Sequence, residues 1–249
     1  MFNYIKLYRI DVFIVTAING ICGYYFTEGE LRLEAIYFTL FISGILYNYV
    51  YVLNALTDIT ADKINKPDRP LPSGKISYRA AIIYLAFLII ISIIGILVLF
   101  KGFNMSMAFL VLIIGGIYSV PPIELKSIPI LAPFVTGWGV VHPIFITGDI
   151  KIILLPAIIL TFYATGTTLL KDLSDIEGDK REGRKVVTNF ISFKNLMKIS
   201  MLMTFVAALL CLKLDNPIIG FAPLSTFFTT LYFYIFKNKE EIEKKFILK

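Results

Sequence analysis

Residues 79–100 read RAAIIYLAFLIIISIIGILVLF, one cation followed by a run interrupted only by Tyr84, Ser92 and Gly95. A helix needs about 20 mostly apolar residues to cross the hydrocarbon core of a bilayer, and this stretch supplies them. Comparable runs lie near 8–27, 33–53, 104–120, 128–147, 151–171, 196–213 and 217–236. Across all 249 residues, 57% are hydrophobic and 17% charged, more apolar surface than one soluble core can hide. The expected fold is therefore all-α, a polytopic membrane bundle of eight transmembrane helices. Lys6 and Arg9 sit at the start of the first run, and no small-residue cleavage site follows it, so 8–27 reads as a helix and not as a removed signal peptide. Cys22 and Cys211 sit inside apolar runs without metal-type spacing and read as packing residues.

Eight crossings put both termini on one side of the membrane. All but four of the 24 Lys and Arg residues fall on that side, the exceptions being Arg32, Lys101, Lys151 and Lys213. This bias marks it as the cytoplasmic face of a multi-pass cell-membrane protein. The net charge of +6 is thereby explained by topology, because the cations occupy short gaps between runs and form no nucleic-acid-binding face. The tail after Phe236, KNKEEIEKKFILK, reads as a charged surface segment. The chain, residues 1–249, is expected to be one domain without a linker.

Two acidic clusters follow the second and sixth runs. The first is Asn54-x-x-x-Asp58-x-x-x-Asp62, and the second Asp172-x-x-Asp175-x-x-x-Asp179. On a helix, steps of three and four keep such side chains on one face. Like charges at that spacing repel unless something positive sits between them, and near a bilayer each carboxylate costs more still. Every candidate ligand is an oxygen, with no Cys or His in either cluster, which points to a hard divalent cation. Mg²⁺ prefers one or two carboxylates plus substrate phosphate oxygens. As solvated loop acids paired with nearby Lys and Arg, one cluster alone would be unremarked, but two with similar spacing on one membrane side argue for a shared site. Superposing Asp58 on Asp175 also pairs Leu56 with Leu173, Ile59 with Ile176, Asp62 with Asp179 and Lys63 with Lys180. The bundle is thus expected to consist of two pseudo-repeated halves with the site between them.

Cations accompany the acids. Lys63-Ile-Asn-Lys66-Pro-Asp-Arg69-Pro-Leu-Pro-Ser-Gly74 follows the first cluster, and Pro67, Pro70, Pro72 and Gly74 forbid a regular helix there. Arg69, set between prolines, suits bidentate contact with phosphate. On the same side the fourth run ends in Tyr118-Ser-Val-Pro-Pro-Ile-Glu-Leu-Lys126. His142 and Trp138 lie in an apolar run and read as structural.

Taken together, the N-x-x-x-D-x-x-x-D of residues 54–62, the K-I-N-K-P-D-R-P-L-P-S-G of residues 63–74, the Y-S-V-P-P from Tyr118 and the K-D-L-S-D-I-E-G-D of residues 171–179 resemble the UbiA superfamily of membrane prenyltransferases. The motifs fall in the family's order across nearly the whole chain. The resemblance implies a helical bundle around a central cavity, with both clusters holding a prenyl diphosphate through Mg²⁺. It implies that Asn54, Asp58 and Asp62 bind one ion, and Asp175 and Asp179 the other, with Asp172 assisting. Arg69 and Lys126 would touch the diphosphate, with Lys63 and Arg9 as further cations, and Tyr118 would line the cavity near the reacting carbon. The sequence departs from family habit at Glu124 and Ser127, where relatives often carry basic residues, and at Ile10, where Arg-Pro is common. Many members have nine spans, so eight, or nine with one merged near the C-terminus, is the expected count.

Bound in this way, the diphosphate becomes a competent leaving group, and an apolar cavity shields the allylic cation from water. Aromatic faces such as those of Tyr118 or Tyr163 suit that cation. The compact length and the I-N-K-P-D-R-P-L-P-S-G wording are most similar to the archaeal ether-lipid branch of the family. That branch moves a geranylgeranyl group onto the free hydroxyl of geranylgeranylglyceryl phosphate. An aromatic-acceptor enzyme of quinone biosynthesis is the alternative. A small cation-coupled transporter is an alternative of another class, but it predicts acids at mid-bilayer, not beside basic loops. The expected partners are a prenyl diphosphate, a lipid-like acceptor and membrane lipid, with no nucleic acid; the sequence carries no signal of oligomeric state.

Overall fold

A computed structural model describes residues 2–7, 9–128, 131–171, 187, 190–214 and 220–236. Among these the regular structure is helical throughout, as a chain in lipid requires, because a helix satisfies its own backbone polar groups. The helices are α1 (Phe2–Leu7), α2 (Ile10–Glu28), α3 (Leu33–Phe41), α4 (Tyr47–Thr57), α5 (Ile59–Asn65), α6 (Tyr78–Leu99), α7 (Gly102–Ser119), α8 (Leu131–Val141), α9 (Pro143–Thr147), α10 (Ile150–Lys171), α11 (Phe193–Cys211) and α12 (Phe221–Phe236).

Five segments are long and apolar enough to cross a membrane: Leu33–Thr57, Tyr78–Leu99, Gly102–Ser119, Ile150–Leu170 and Phe193–Cys211. The first joins α3 to α4 through a π-turn at Ile42–Leu46, so the expected second span is one bulged helix. The other three expected spans are also helical, but differently built. α2 carries Asn19 at its middle, and α12 has 16 residues. The expected span 128–147 is split into α8 and α9 at His142, because Pro143 cannot continue the ladder and instead occupies the first turn of α9. Outward-facing apolar side chains suit a lipid solvent: on α6, Ile83 is 71% exposed and Val98 72%.

The described residues form two compact units. One contains residues 1–126 and 139–154; the other contains 127–138 and 155–249. In the first, α2 packs closely on α9. Gly23 makes that possible, since a Cβ there would meet the Ile144 carbonyl oxygen at 2.5 Å. Thr147 Oγ1 donates to the Gly20 carbonyl at 2.7 Å, and the Asp149 amide donates to Thr27 Oγ1 at 2.8 Å. Also in this unit, α4 packs on α7, with Tyr49 Oη donating to the Leu112 carbonyl at 2.9 Å. Gly115 lets the two helices approach, because a Cβ there would sit 2.8 Å from Val50. In the second unit, Ser200 Oγ on α11 donates to the Gly166 carbonyl on α10 at 2.7 Å, and Tyr163 Oη lies 3.3 Å from Thr226 Oγ1 on α12.

Candidate active site

The first acidic cluster sits where α4 gives way to α5. It was expected on one continuous helix face. Instead Asp58, with φ −98° and ψ 9°, stands between the two helices and kinks them. The ladder nevertheless carries through, because the Asp58 amide donates to the Asn54 carbonyl at 2.9 Å and the Asp62 amide to the Asp58 carbonyl at 2.8 Å. The spacing of four therefore survives the kink.

After α5 the chain turns back through a loop held from inside. Leu71 and Ile76, both 4% exposed, plug into an apolar cluster with Leu7, Tyr49, Val52, Leu56 and Leu88. Backbone bonds tie the turn together, Ser73 N to the Arg69 carbonyl at 3.0 Å and Ile76 N to the Pro70 carbonyl at 3.0 Å. Gly74 closes it at φ 73°, a conformation that a side chain disfavours. The outcome is a fixed Arg69, whose Nη1 lies 2.6 Å from Asp62 Oδ2. Asp62 is buried and Arg69 half-buried, so this ion pair is shielded from water.

Asp58 receives its cation from the far end of α7. Beyond the Pro-Pro turn, Lys126 extends its Nζ to 2.7 Å from Asp58 Oδ1 and 2.7 Å from Thr57 Oγ1. Glu124 Oε1 lies 3.7 Å from the same ammonium. Glu124 itself adopts φ 42°, uncommon for a residue with a side chain. The other Asp58 oxygen, Oδ2, accepts from Asn54 Nδ2 at 2.8 Å. Asn54 Oδ1 in turn accepts from Ser119 Oγ at 3.2 Å, and Ser119 is fully buried.

Of the expected site residues, the structure brings together Asn54, Asp58 and Lys126, and separately Asp62 with Arg69. Thr57 and Ser119 join them, though neither is among the expected site residues; Ser119 adjoins Tyr118 within the Y-S-V-P-P motif. Tyr118 is half-buried on α7, and Lys63 is exposed on α5. Arg9 turns to an aromatic neighbour, its guanidinium lying 5.5 Å from the centre of the Tyr51 ring. Asp172, Asp175 and Asp179 fall outside the described residues. His142 is buried, with its ring 6.0 Å from that of Phe145.

The donor set fits a hard divalent ion. Asp58 and Asp62 are oxygen donors one turn apart, and in this arrangement each carboxylate is neutralised by a tethered cation. Among the described residues no three acidic, His or Cys side chains converge, so a Mg²⁺ held by Asp58 and Asp62 would take most of its coordination sphere from other oxygens. That is the ligand pattern Mg²⁺ prefers when it bridges protein and phosphate.

Comparison with known proteins agrees with the motifs. The model of the UbiA prenyltransferase family matches residues 13–248. The digeranylgeranylglyceryl phosphate synthase of Saccharolobus solfataricus is 29% identical over 256 residues, covering 98% of this chain and 88% of the relative. The synthase of the same name from Sulfolobus acidocaldarius is 26% identical over 188 residues, 72% of this chain and 66% of the relative, so the match spans just under two thirds of that protein. Among solved structures, a UbiA homologue from Archaeoglobus fulgidus bound to GPP and Mg²⁺ superposes with a TM-score of 0.75 at 18% identity, covering 99% of this chain and 94% of that one. At that identity the likeness establishes the fold. With nearly its whole length matched by one family model, the chain belongs to the UbiA prenyltransferase family.

Proposed function

We propose that this protein is a Mg²⁺-dependent prenyltransferase of archaeal ether-lipid synthesis. It transfers a geranylgeranyl group from its diphosphate to the free hydroxyl of geranylgeranylglyceryl phosphate. The observation that carries the reading is the pairing of Asp58 with Lys126 and of Asp62 with Arg69 where an apolar helix ends. A site built from paired carboxylates and paired cations matches a substrate that is itself a polyanion carried with metal. The names of the Saccharolobus and Sulfolobus relatives support the acceptor, and the GPP and Mg²⁺ of the Archaeoglobus homologue support the donor and the ion.

On this reading Asn54, Asp58 and Asp62 hold one Mg²⁺, and Asp175 and Asp179 the other, with Asp172 beside them. When bound, the ions supply positive charge that stabilises diphosphate as a leaving group. Arg69 and Lys126 exchange their carboxylate partners for diphosphate oxygens, so the acids are freed for metal as the substrate arrives. Lys63 and Arg9 add to the positive field around the entrance. The allylic C–O bond breaks with its electron pair leaving on the diphosphate. The acceptor hydroxyl oxygen then bonds to the allylic carbon and gives up its proton to the released diphosphate. Tyr118 and Tyr163 offer π faces to the cation.

The architecture that serves this chemistry is a single domain over residues 1–249, with eight spans in two pseudo-repeated halves. A central apolar cavity houses the prenyl tail and keeps water from the cation. The cation-rich loops support a site at the cytoplasmic face. The test is to incubate the purified protein in detergent with geranylgeranyl diphosphate, Mg²⁺ and a panel of acceptors, and to identify products by mass. The expected product is the digeranylgeranylglyceryl phosphate ether. Transfer only to aromatic acceptors would replace the ether-lipid assignment with a quinone-type one.

A further inference from the structure

Ser119 touches neither carboxylate of the first cluster, yet it anchors the residue that does. Its hydroxyl, fully buried at the end of α7, donates to Asn54 Oδ1 at 3.2 Å. With the amide oxygen engaged there, the amide nitrogen faces Asp58 Oδ2 at 2.8 Å. A flipped amide would set its oxygen against a carboxylate oxygen, a repulsive contact in a site that is partly desolvated. The same carboxylate is held at its other oxygen by Lys126. Once that ammonium moves to a phosphate, the Ser119–Asn54 chain still holds Asp58 at Oδ2.

We propose that Ser119 is a positioning residue for metal binding, acting through Asn54 to aim the Asp58 carboxylate. The inference rests on the reading of Asp58 as a Mg²⁺ ligand and adds to it a residue on a different helix. Groups that orient a ligand in this way commonly change metal affinity by about 10- to 100-fold when removed. The serine of the Y-S-V-P-P motif thereby acquires a physical task, linking the end of α7 to the acidic cluster.

The experiment measures Mn²⁺ binding to the detergent-solubilised full chain by electron paramagnetic resonance, with the unreactive thiolo analogue of geranylgeranyl diphosphate present. Ser119→Ala should weaken Mn²⁺ binding by roughly tenfold. In an Asn54→Ala background, already weakened by loss of a proposed ligand, the same change should have no further effect, because the link is already cut. Tyr49→Phe is the structural control: it breaks another bond between α4 and α7, from Tyr49 Oη to the Leu112 carbonyl, away from the acids. It should lower the thermal midpoint at least as much as Ser119→Ala while leaving Mn²⁺ affinity unchanged. Equal weakening by Tyr49→Phe, unchanged affinity in Ser119→Ala, or additive losses with Asn54→Ala would overturn the positioning role. Failure of the wild-type chain to bind Mn²⁺ under these conditions would instead refute the metal reading itself.

Discussion

Lys126 Nζ lies 2.7 Å from Asp58 Oδ1 across 68 residues of chain, with the lysine side chain 7% exposed and the aspartate 15%. Asp58 on its own would be a costly carboxylate next to a membrane, and Lys126 a costly ammonium. Each cancels the other's charge, and Thr57 and Asn54 satisfy further hydrogen-bonding capacity. Removing one partner from such a shielded pair costs about 3–5 kcal/mol, since the survivor stays buried and uncompensated.

Asp58→Asn should therefore destabilise the metal-free protein, although it deletes one of two like charges on neighbouring turns. The thermal midpoint in detergent without divalent metal should fall by several degrees. Adding Lys126→Met should recover part of the loss, because both charges are then absent. A midpoint that rises in the single variant would mean that repulsion with Asp62 outweighs the ion pair.

The residues of the Asp58 and Asp62 cluster stand out in the sequence for physical reasons, while Asp172, Asp175 and Asp179 lie outside the described residues. Acids at the ends of apolar runs are expensive, so Asp58 and Asp62 stood out, and the prolines around Arg69 announced a shaped loop. Their pairing was not legible. Which cation meets which acid depends on how α4 packs on α7, and Lys126 reaches Asp58 only through that tertiary contact. Ser119 escaped because a hydroxyl at the end of an apolar helix carries no distinctive pattern. The kink at Asp58 escaped as well, since no Gly or Pro marks it. The break at His142 had a signal in Pro143, overridden in the reading by the apolar character of the whole 128–147 run.

The loop that presents Arg69 depends on its buried plugs. Leu71→Ala removes a 4% exposed side chain from the apolar cluster and should cost about 2–5 kcal/mol locally. Arg69 itself is retained, yet the KM for the prenyl diphosphate should rise by about tenfold as the guanidinium loses its fixed position. Steady-state kinetics with varied diphosphate will show it, and an unchanged KM would mean that the loop orders itself around the substrate.

Gly23→Ala should be among the most damaging small changes in the first unit. The added Cβ would collide with Thr147 Oγ1 and lie 2.5 Å from the Ile144 carbonyl oxygen, and the latter is backbone that cannot step aside. Overpacking of this kind costs about 1–3 kcal/mol or more. Gly139→Ala, whose added Cβ would meet no neighbouring side chain or distant backbone within 4 Å, should be tolerated. Thermal unfolding in detergent compares the two directly.

Topology can be read by cysteine labelling in a background lacking Cys22 and Cys211. Reporters placed at Ser73 and Lys185 should label from one side of the membrane, and reporters at Glu30 and Asp149 from the other. Labelling of positions 73 and 185 from opposite faces would separate the two acidic clusters and end the shared-site account.

The most direct measurement is the rate of prenyl transfer in Asp58→Asn, Asp175→Asn and the double variant, each with Mg²⁺ and with EDTA. If both clusters hold one diphosphate through metal, each single change removes most of the activity, the double variant is scarcely slower than either, and EDTA abolishes wild-type turnover reversibly. Full turnover in EDTA, or single variants that stay active and lose only thermal stability, would contradict the account and leave the aspartates as structural partners of the surrounding Lys and Arg.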